Sequence, residues 1–214
     1  MLNQQGFNLW ADGYDKTVQL SEESNQYPFA GYKAVLNTIF NEVMYSPKST
    51  VLDIGFGTGV LTAKLYDNGH MINGFDFSSK MIDIAKEKMP DANLMEWDLS
   101  KGLPPALLDQ TYDAIISTYA LHHFTDDMKV QYITALLQQL TPTGKIFIGD
   151  IAFETKEQLE KCRQDSSSYW DDDEFYFIYE EIGPLLKGLC QLEFHPISHC
   201  GGVFVISNFA QEDI

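Results

Sequence analysis

A chain of 214 residues that is 44% hydrophobic, 13% aromatic and 21% charged can bury a full core without disulfides, which excludes a disordered or fibrous polypeptide. Fourteen basic against 31 acidic side chains give a formal net charge of −17, a field that repels phosphate polyanions and anionic surfaces, so neither nucleic acid nor a membrane is expected as a partner. Cys162, Cys190 and Cys200 are widely spaced and form no CxxC pair; with no basic and apolar leader pattern at the start and no run of the ~18 apolar residues a membrane helix needs, a reducing, cytoplasmic setting is expected.

In chain order, the first stripe lies over Tyr32–Met44, apolar at 35, 36, 39, 40, 43 and 44 and closed by Ser46-Pro47, which predicts a helix. Val51–Ile54 is a short apolar run meeting a glycine cluster, as a buried strand does. Val60, Leu61 and Leu65 mark a short helix ended by Asn68-Gly69, and Met71–Phe77 a second strand. Ser78 is the expected N-cap of a helix that turns Met81, Ile82, Ala85 and Met89 inward and stops at Pro90. Asn93–Leu99 and Tyr112–Tyr119 read as the third and fourth strands.

Thr125 caps the next helix, whose first turn carries Asp126 and Asp127 against the helix dipole. Its buried face is expected from Val130, Ile133, Leu136, Leu137 and Leu140, and Pro142 and Gly144 are expected to end it before a fifth strand at Lys145–Phe153. Thr155–Gln158 fits a capping box. Phe175, Ile178, Ile182, Leu185 and Leu186 form another helical stripe, with a break or kink expected at Gly183-Pro184. Gln191–Ser198 and Val203–Ser207 read as a hairpin around Cys200-Gly201-Gly202. Strands alternating with helices imply a parallel sheet covered on both faces, with antiparallel pairing at the hairpin edge. Ligands of such sheets bind at the carboxyl ends of the strands, where the strand order reverses.

Asp53-Ile54-Gly55-Phe56-Gly57-Thr58-Gly59 falls at that end of the first strand. Glycines there permit positive φ and a close backbone approach to a ligand. Asp76 lies 21 positions after Gly55, at the end of the second strand, where a carboxylate can accept both hydroxyls of a ribose. A dinucleotide fingerprint GxGxxG would need glycine at position 60, which is Val60.

With glycines at 55, 57 and 59 and an acid two residues earlier, the sequence resembles the class I S-adenosylmethionine-dependent methyltransferases. The resemblance extends over Val51–Gly59, Asp76, Glu96-Trp97-Asp98, Tyr112–Ser117 with Ala120-Leu121-His122-His123, and Leu140–Lys145. Trp10-Ala11 with Tyr14-Asp15, and His199-Cys200-Gly201-Gly202-Val203, are similar to a YrrT-like group of small bacterial methyltransferases. The resemblance implies S-adenosylmethionine as cofactor and S-adenosylhomocysteine (SAH) as its product. It places Gly55, Gly57 and Gly59 along the methionine half, Asp76 on the ribose, Asp98 on the adenine amine, and Asp53 and Tyr14 near the amino-acid end. The expected fold is α/β: a Rossmann-like, doubly wound, mostly parallel seven-stranded sheet with an antiparallel C-terminal hairpin strand and a helical N-terminal cap. One domain, 1–214, divides into a cap at 1–45, a cofactor-binding core at 46–153, a helical lid at 154–189 and the hairpin at 190–214. Plainer roles compete: Asp76 as an N-cap, Asp98 as the cap of the turn at Leu99-Ser100, and Tyr14 as a packing aromatic.

His122 and His123 stand just past the fourth strand, where a methyl acceptor should lie, and either could act as a general base or merely pack there. Because the two are adjacent rather than at helical i,i+4 spacing and no carboxylate completes a recognisable site, no metal is expected. The aromatic and acidic stretch Asp165–Glu181 is either a lid for a small apolar or cationic acceptor or an amphipathic helix with its aromatics in the core. The fourth strand leads into Ser-Thr-Tyr-Ala rather than the Asn/Asp-Pro-Pro-Tyr/Phe run of amine-directed nucleic-acid methyltransferases, and no Pro-Cys nucleophile is present. A small-molecule acceptor is therefore expected. A non-catalytic cofactor-binding module and an NAD(P)-binding oxidoreductase are the alternatives, the latter disfavoured by Val60.

Overall fold

The computed structural model describes Val18, Ser21, Glu23 and residues 25–210. Tyr14 and the Trp10-Ala11 pair lie outside the described residues. Through the first half, the chain forms α1 (Tyr32–Met44), β1 (Thr50–Ile54), α2 (Val60–Asp67), β2 (Met71–Asp76), α3 (Ser79–Lys88), β3 (Asn93–Glu96) and β4 (Tyr112–Thr118). It continues through α4 (Asp126–Leu137), β5 (Leu140–Phe153), α5 (Lys156–Asp165), β6 (Phe177–Ile178), α6 (Tyr179–Leu186), β7 (Gln191–Pro196) and β8 (Gly201–Ser207). Among the described residues no helix is long and apolar enough to cross a membrane.

The sheet order is β3-β2-β1-β4-β5-β8-β7. Strands β1 to β5 pair in parallel, and β8 runs antiparallel to both β5 and β7. The expected α/β, doubly wound sheet with seven strands along its main path is the one observed. Two-residue alternation sends successive side chains to opposite faces. Val51, Ala114, Ile116, Phe147, Val203 and Val205 enter a core with α1, α2 and α3. Leu52, Ile54, Ile115, Ile146, Ile148, Phe204 and Ile206 enter a second core with α4 and α6. Helix α1 approaches β5 at Gly149, where a Cβ would stand 2.5 Å from Val35 Cγ1 and 2.9 Å from Ile39 Cδ1. That contact seats α1 on the carboxyl half of the central strands.

Three local expectations are corrected. The fourth predicted helix ends at Leu137, and Leu140 already pairs with Tyr112, so Pro142 and Gly144 lie inside β5 rather than stopping a helix. The register shifts between Tyr112 and Ala114, an irregularity that admits a proline in a strand. A Cβ at Gly144 would lie 2.6 Å from the Tyr112 carbonyl oxygen, so the close crossing there needs glycine. The third strand stops at Glu96, because Asp98 caps a 3-10 turn at Leu99–Lys101 instead of extending the pairing. The late stripe is split: Phe175 is exposed, Phe177 and Ile178 pair in parallel with Ala152 and Phe153 as an eighth short strand, and the helix begins only at Tyr179. Pro184 sits inside that helix. The Thr155–Gln158 capping box forms as expected.

Candidate active site

The strand order reverses between β1 and β4, and the glycine loop leaves β1 at that point. Gly55, Gly57 and Gly59 all have positive φ, at 69°, 55° and 73°. The loop is tied to β2 from both sides. Gly55 N donates to the Phe75 carbonyl at 2.8 Å, and Gly57 N donates to Asp76 Oδ2 at 2.9 Å. Lys88 of α3 donates to the Thr58 carbonyl at 2.8 Å and holds the loop's far side.

The three glycines do different work. A Cβ at Gly55 would meet Ala120 Cβ at 2.7 Å, so packing requires glycine there, whereas one at Gly59 would meet only the flexible end of Met89, at 2.8 Å, and there the left-handed backbone is the firmer constraint. A Cβ at Gly57 would meet nothing within 4 Å and would project into open space. Gly59 N-caps α2 and lines neither of the two clefts beside the loop.

Those clefts share Gly55, Gly57, Thr118 and Tyr119. One is lined further by Phe75, Asp76, Met81, Trp97, Leu99 and His123, the other by Asp53, Tyr32 and Thr62. The fold thus brings Asp53, Gly55, Gly57, Asp76 and His123 to one place. Tyr32 and Tyr119 are additions that the sequence pattern does not reveal, and Trp97, which lies in the matched Glu96-Trp97-Asp98 segment, gains a place in the cleft wall. Tyr119 has φ 51°, a left-handed conformation rare for a bulky residue and frequent at sites where the surroundings over-determine the backbone.

Asp76 is buried, and its carboxylate accepts from Gly57 N and, through Oδ1, from Ser78 N at 2.8 Å. Burial raises its pKa above the usual carboxylate range, opposed by these backbone hydrogen bonds. Asp53 lies beneath the loop, 2% exposed. Its Oδ2 accepts the Thr62 hydroxyl, and its Oδ1 is buried with no hydrogen-bond partner. Burial pushes the Asp53 carboxyl up to about 7, against the Thr62 hydrogen bond. Asp98 Oδ1 accepts from Ser100 N at 2.9 Å and from Ser100 Oγ at 2.7 Å, which holds its pKa below the ordinary value. The turn-capping role is therefore real, and Asp98 stands between two residues of the cleft wall, Trp97 and Leu99.

The histidine pair sits in a 3-10 turn, Leu121–His123, that follows β4. His122 is buried, and its Nδ1 lies 2.6 Å from Asp150 Oδ1. Asp150, wholly buried in β5, also accepts from Leu121 N and Ile151 N. Glu174 approaches from the segment after α5, its Oε1 3.5 Å from His122 Nε2 and 3.9 Å from His123 Nδ1. Burial works against a charged His122, but Asp150 and then Glu174 outweigh it and raise the ring's pKa. Burial and the neighbouring His122 lower that of His123 to about 4. Glu174 and Asp150 are the functional candidates missed in the sequence, since they come from 52 and 28 positions beyond His122.

An aromatic group adjoins this cluster. Trp170 stacks on Tyr27 with ring centroids 5.0 Å apart, and Tyr176 packs edge-on to Trp170 at 4.9 Å. The Tyr27 and Tyr176 hydroxyls are hydrogen-bonded to one another. The backbone of this segment is clamped to the site: Phe175 N donates to the His122 carbonyl at 2.7 Å, and the buried Lys129 ammonium donates to the Phe175 carbonyl at 2.6 Å. The aromatic and acidic stretch divides accordingly, with Tyr176 and Phe177 buried and Tyr169 and Phe175 exposed.

A methyltransferase domain family model matches residues 51–144. An uncharacterized methyltransferase of Geobacillus sp. (strain WCH70) is 35% identical over 190 residues, covering 85% of each chain. One from Oceanobacillus iheyensis is 33% identical over 185 residues, covering 85% of this chain and 82% of the relative. Among solved structures, a DhpI–SAH complex superposes with a TM-score of 0.70 at 16% identity, covering 97% and 96% of the two chains. Magnesium protoporphyrin IX methyltransferase from Synechocystis PCC 6803 with bound SAH gives 0.65 at 17% identity, covering 84% of this chain and 85% of that one. The glycine loop, the acid ending β2 and a sheet reversing between β1 and β4 coincide with this similarity along most of the chain, which belongs to the class I S-adenosylmethionine-dependent methyltransferases.

Proposed function

We propose that the protein transfers a methyl group from S-adenosylmethionine to a small-molecule acceptor in the cytoplasm. The observation that carries this reading is the pairing of Asp76 with Gly57 across a cleft into which a Cβ at Gly57 would point. The residues fit the cofactor: a buried carboxylate for the ribose, a glycine cradle for close backbone approach, and an unpartnered Asp53 oxygen under the loop for a cationic group. In this arrangement Asp76 holds the ribose, Trp97 and Leu99 flank the adenine with the second oxygen of Asp98 on its amine, and Gly55, Gly57 and Asp53 take the methionine half, with Tyr14 assigned to the same end. Gly59 supports the loop through its left-handed backbone at the N-cap of α2. S-adenosylmethionine supplies an activated methyl on a sulfonium whose leaving group is a neutral thioether.

The protein's task is then alignment and exclusion of water, and orientation alone can lower a barrier by about 7–11 kcal/mol. We assign segment 154–189, with the N-terminal region, to the lid over the acceptor. Trp170, Tyr176 and Tyr27 offer it flat apolar surface. His122 and His123 are the catalytic candidates. His123 lines the cleft, so it is the ring in reach of a proton on the acceptor, and His122 stands behind it against Asp150. A base is required only when the reactive atom of the acceptor carries a proton. The net charge of −17 and the fourth-strand sequence favour a small molecule over nucleic acid.

A thermal-shift comparison of S-adenosylmethionine, SAH, NAD and NADP tests the reading. A ligand at about 100 times its dissociation constant stabilises by roughly 2.7 kcal/mol, which for a domain of this size is a rise of about 5–10 °C. That rise is expected with the two sulfur nucleosides and not with NAD or NADP; the reverse pattern would sink the proposal. Gly57→Ala sharpens the test. The left-handed backbone costs an alanine about 1–2 kcal/mol, a loss of a few degrees in melting temperature, whereas a methyl group in the cradle should abolish the SAH-induced rise. An unchanged rise would remove Gly57 from the binding surface.

A further inference from the structure

We propose that His122, His123 and Glu174 form a divalent-metal site beside the cofactor cleft, suited to a cation such as Zn2+ and to an acceptor that offers it an oxygen or sulfur donor; with the cation bound, the two histidines act as its ligands in place of the general-base role. The three residues each present one ligating atom, and these atoms lie within 4.8 Å of one another. The sequence expectation of no metal rested on two adjacent histidines, not at i,i+4 spacing, with no carboxylate completing a recognisable site. The fold supplies Glu174 from the segment between α5 and β6.

Three features set this cluster apart from an ordinary buried ion pair. The first is spacing. His122 Nε2 and His123 Nδ1 are 3.5 and 3.9 Å from the same Glu174 oxygen, longer than the roughly 2.7–3.2 Å of a hydrogen bond. Bonds of about 2.0–2.2 Å from nitrogen and oxygen to zinc span such gaps after small side-chain adjustments.

The second is orientation. Asp150 engages His122 Nδ1 at 2.6 Å and leaves Nε2 directed at Glu174. A carboxylate behind a histidine is the usual support of a metal-bound imidazole, fixing its tautomer and ring plane. Asp150 is itself immobilised by the Leu121 and Ile151 amides. Glu174 is placed by its neighbour, since Phe175 N bonds the His122 carbonyl and Lys129 grips the Phe175 carbonyl.

The third is access. The His123 and Glu174 side chains are 20% and 18% exposed, and His123 borders the cleft, so a bound cation would keep a face toward an incoming acceptor. A cation there would also offset the field of a chain with net charge −17, which otherwise opposes any acceptor bearing a carboxylate, phosphonate or thiolate. The class of acceptor rests on the methyl-transfer reading; the metal site does not.

The test is zinc binding by the full chain, stripped with a chelator, dialysed and titrated calorimetrically with Zn2+, with SAH binding measured separately. The expected result is about one zinc per chain. Glu174→Gln and His123→Ala should each weaken zinc by roughly tenfold or more, with SAH affinity and melting temperature in Glu174→Gln close to those of the unmodified chain. Cys162, His199 and Cys200 are a second cluster able to compete for zinc, so Cys200→Ser is titrated in parallel. Zinc lost in Cys200→Ser but kept in Glu174→Gln and His123→Ala would overturn the proposal, as would no zinc bound by any variant. Zinc bound without SAH binding would sink the cofactor reading alone, and SAH bound without zinc would sink the metal site alone.

Discussion

Replacing Asp76 by alanine should weaken SAH binding by a factor of about 10² to 10⁴. A hydrogen bond to a charged group contributes roughly 1.5–3 kcal/mol, and a ribose presents two hydroxyls to this one carboxylate. Asp76 also accepts from Gly57 N and Ser78 N, so its loss leaves the Gly57 amide of the loop and the Ser78 amide at the start of α3 without their acceptor and loosens the cradle proposed for the methionine half. Asp76→Asn separates the two effects. Its amide oxygen can still take one backbone N–H, but its NH2 group faces a donor at the other, so it should keep part of the loop and little of the ribose contact. Calorimetric titration of SAH into both variants, with melting curves as the folding control, measures this. Undiminished SAH affinity in a folded Asp76→Ala protein would show that the carboxylate only ties the turn before α3 through its bond to Ser78 N; it is not the cap of that helix, since Ser78 itself is the N-cap and accepts from Met81 N.

The second large effect belongs to Asp53. Its carboxyl is pushed up to about 7 from 3.8 because burial disfavours the charged form. A folded-state pKa above the unfolded one means that the native protein binds this proton more tightly. The group's contribution to stability is therefore most favourable below about pH 4, declines as pH rises from 4 to 7, and is flat above. Three pH units correspond to an order of about 4 kcal/mol. Asp53→Asn cannot ionise, so it should be more stable than the unmodified chain above pH 7, by up to a few kcal/mol, with the difference closing toward pH 4. Denaturant melts of both proteins from pH 4 to 8 give the two curves directly. Parallel curves would mean that Asp53 does not titrate in this range.

The same group links cofactor binding to pH. If the ionised form of Asp53 receives a cationic group of the ligand, the dissociation constant for SAH should improve by about tenfold per pH unit up to about pH 7 and level off above it. That slope should vanish in Asp53→Asn. A slope surviving in Asp53→Asn would assign the linkage to another group.

The core and the glycine–aspartate part of the candidate site were legible in the sequence because they are local. The alternation at Val51-Leu52, Ala114-Ile115-Ile116 and Val203-Phe204-Val205 states which face each side chain meets, and the tertiary structure sorts those residues into two cores as that alternation requires. The spacing of Gly55, Gly57 and Asp76 is likewise a property of one strand–loop–helix–strand unit, so a family motif can carry it. Sequence reading failed where a distant partner decided the outcome. Pro142 and Gly144 read as helix stops until the pairing of Leu140 with Tyr112 takes them into β5. Phe177 and Ile178 read as helical until Ala152 and Phe153 offer them hydrogen bonds.

The histidine side of the candidate site was the least legible part, for the same reason. His122 and His123 are a bare pair in the sequence, and only the packing of β5 and of the segment after α5 brings Asp150 and Glu174 to them. Sequence alone determined the fold class, the family and the glycine–aspartate cradle, because each depends on residues a few positions apart or on a periodicity that backbone geometry reads directly. The tertiary structure alone decided that Gly57 borders open space while Gly59 lines neither cleft, that Asp53 is buried with an unpartnered oxygen, and that two histidines and a carboxylate converge. Those are matters of distance between chain segments, which no local pattern encodes.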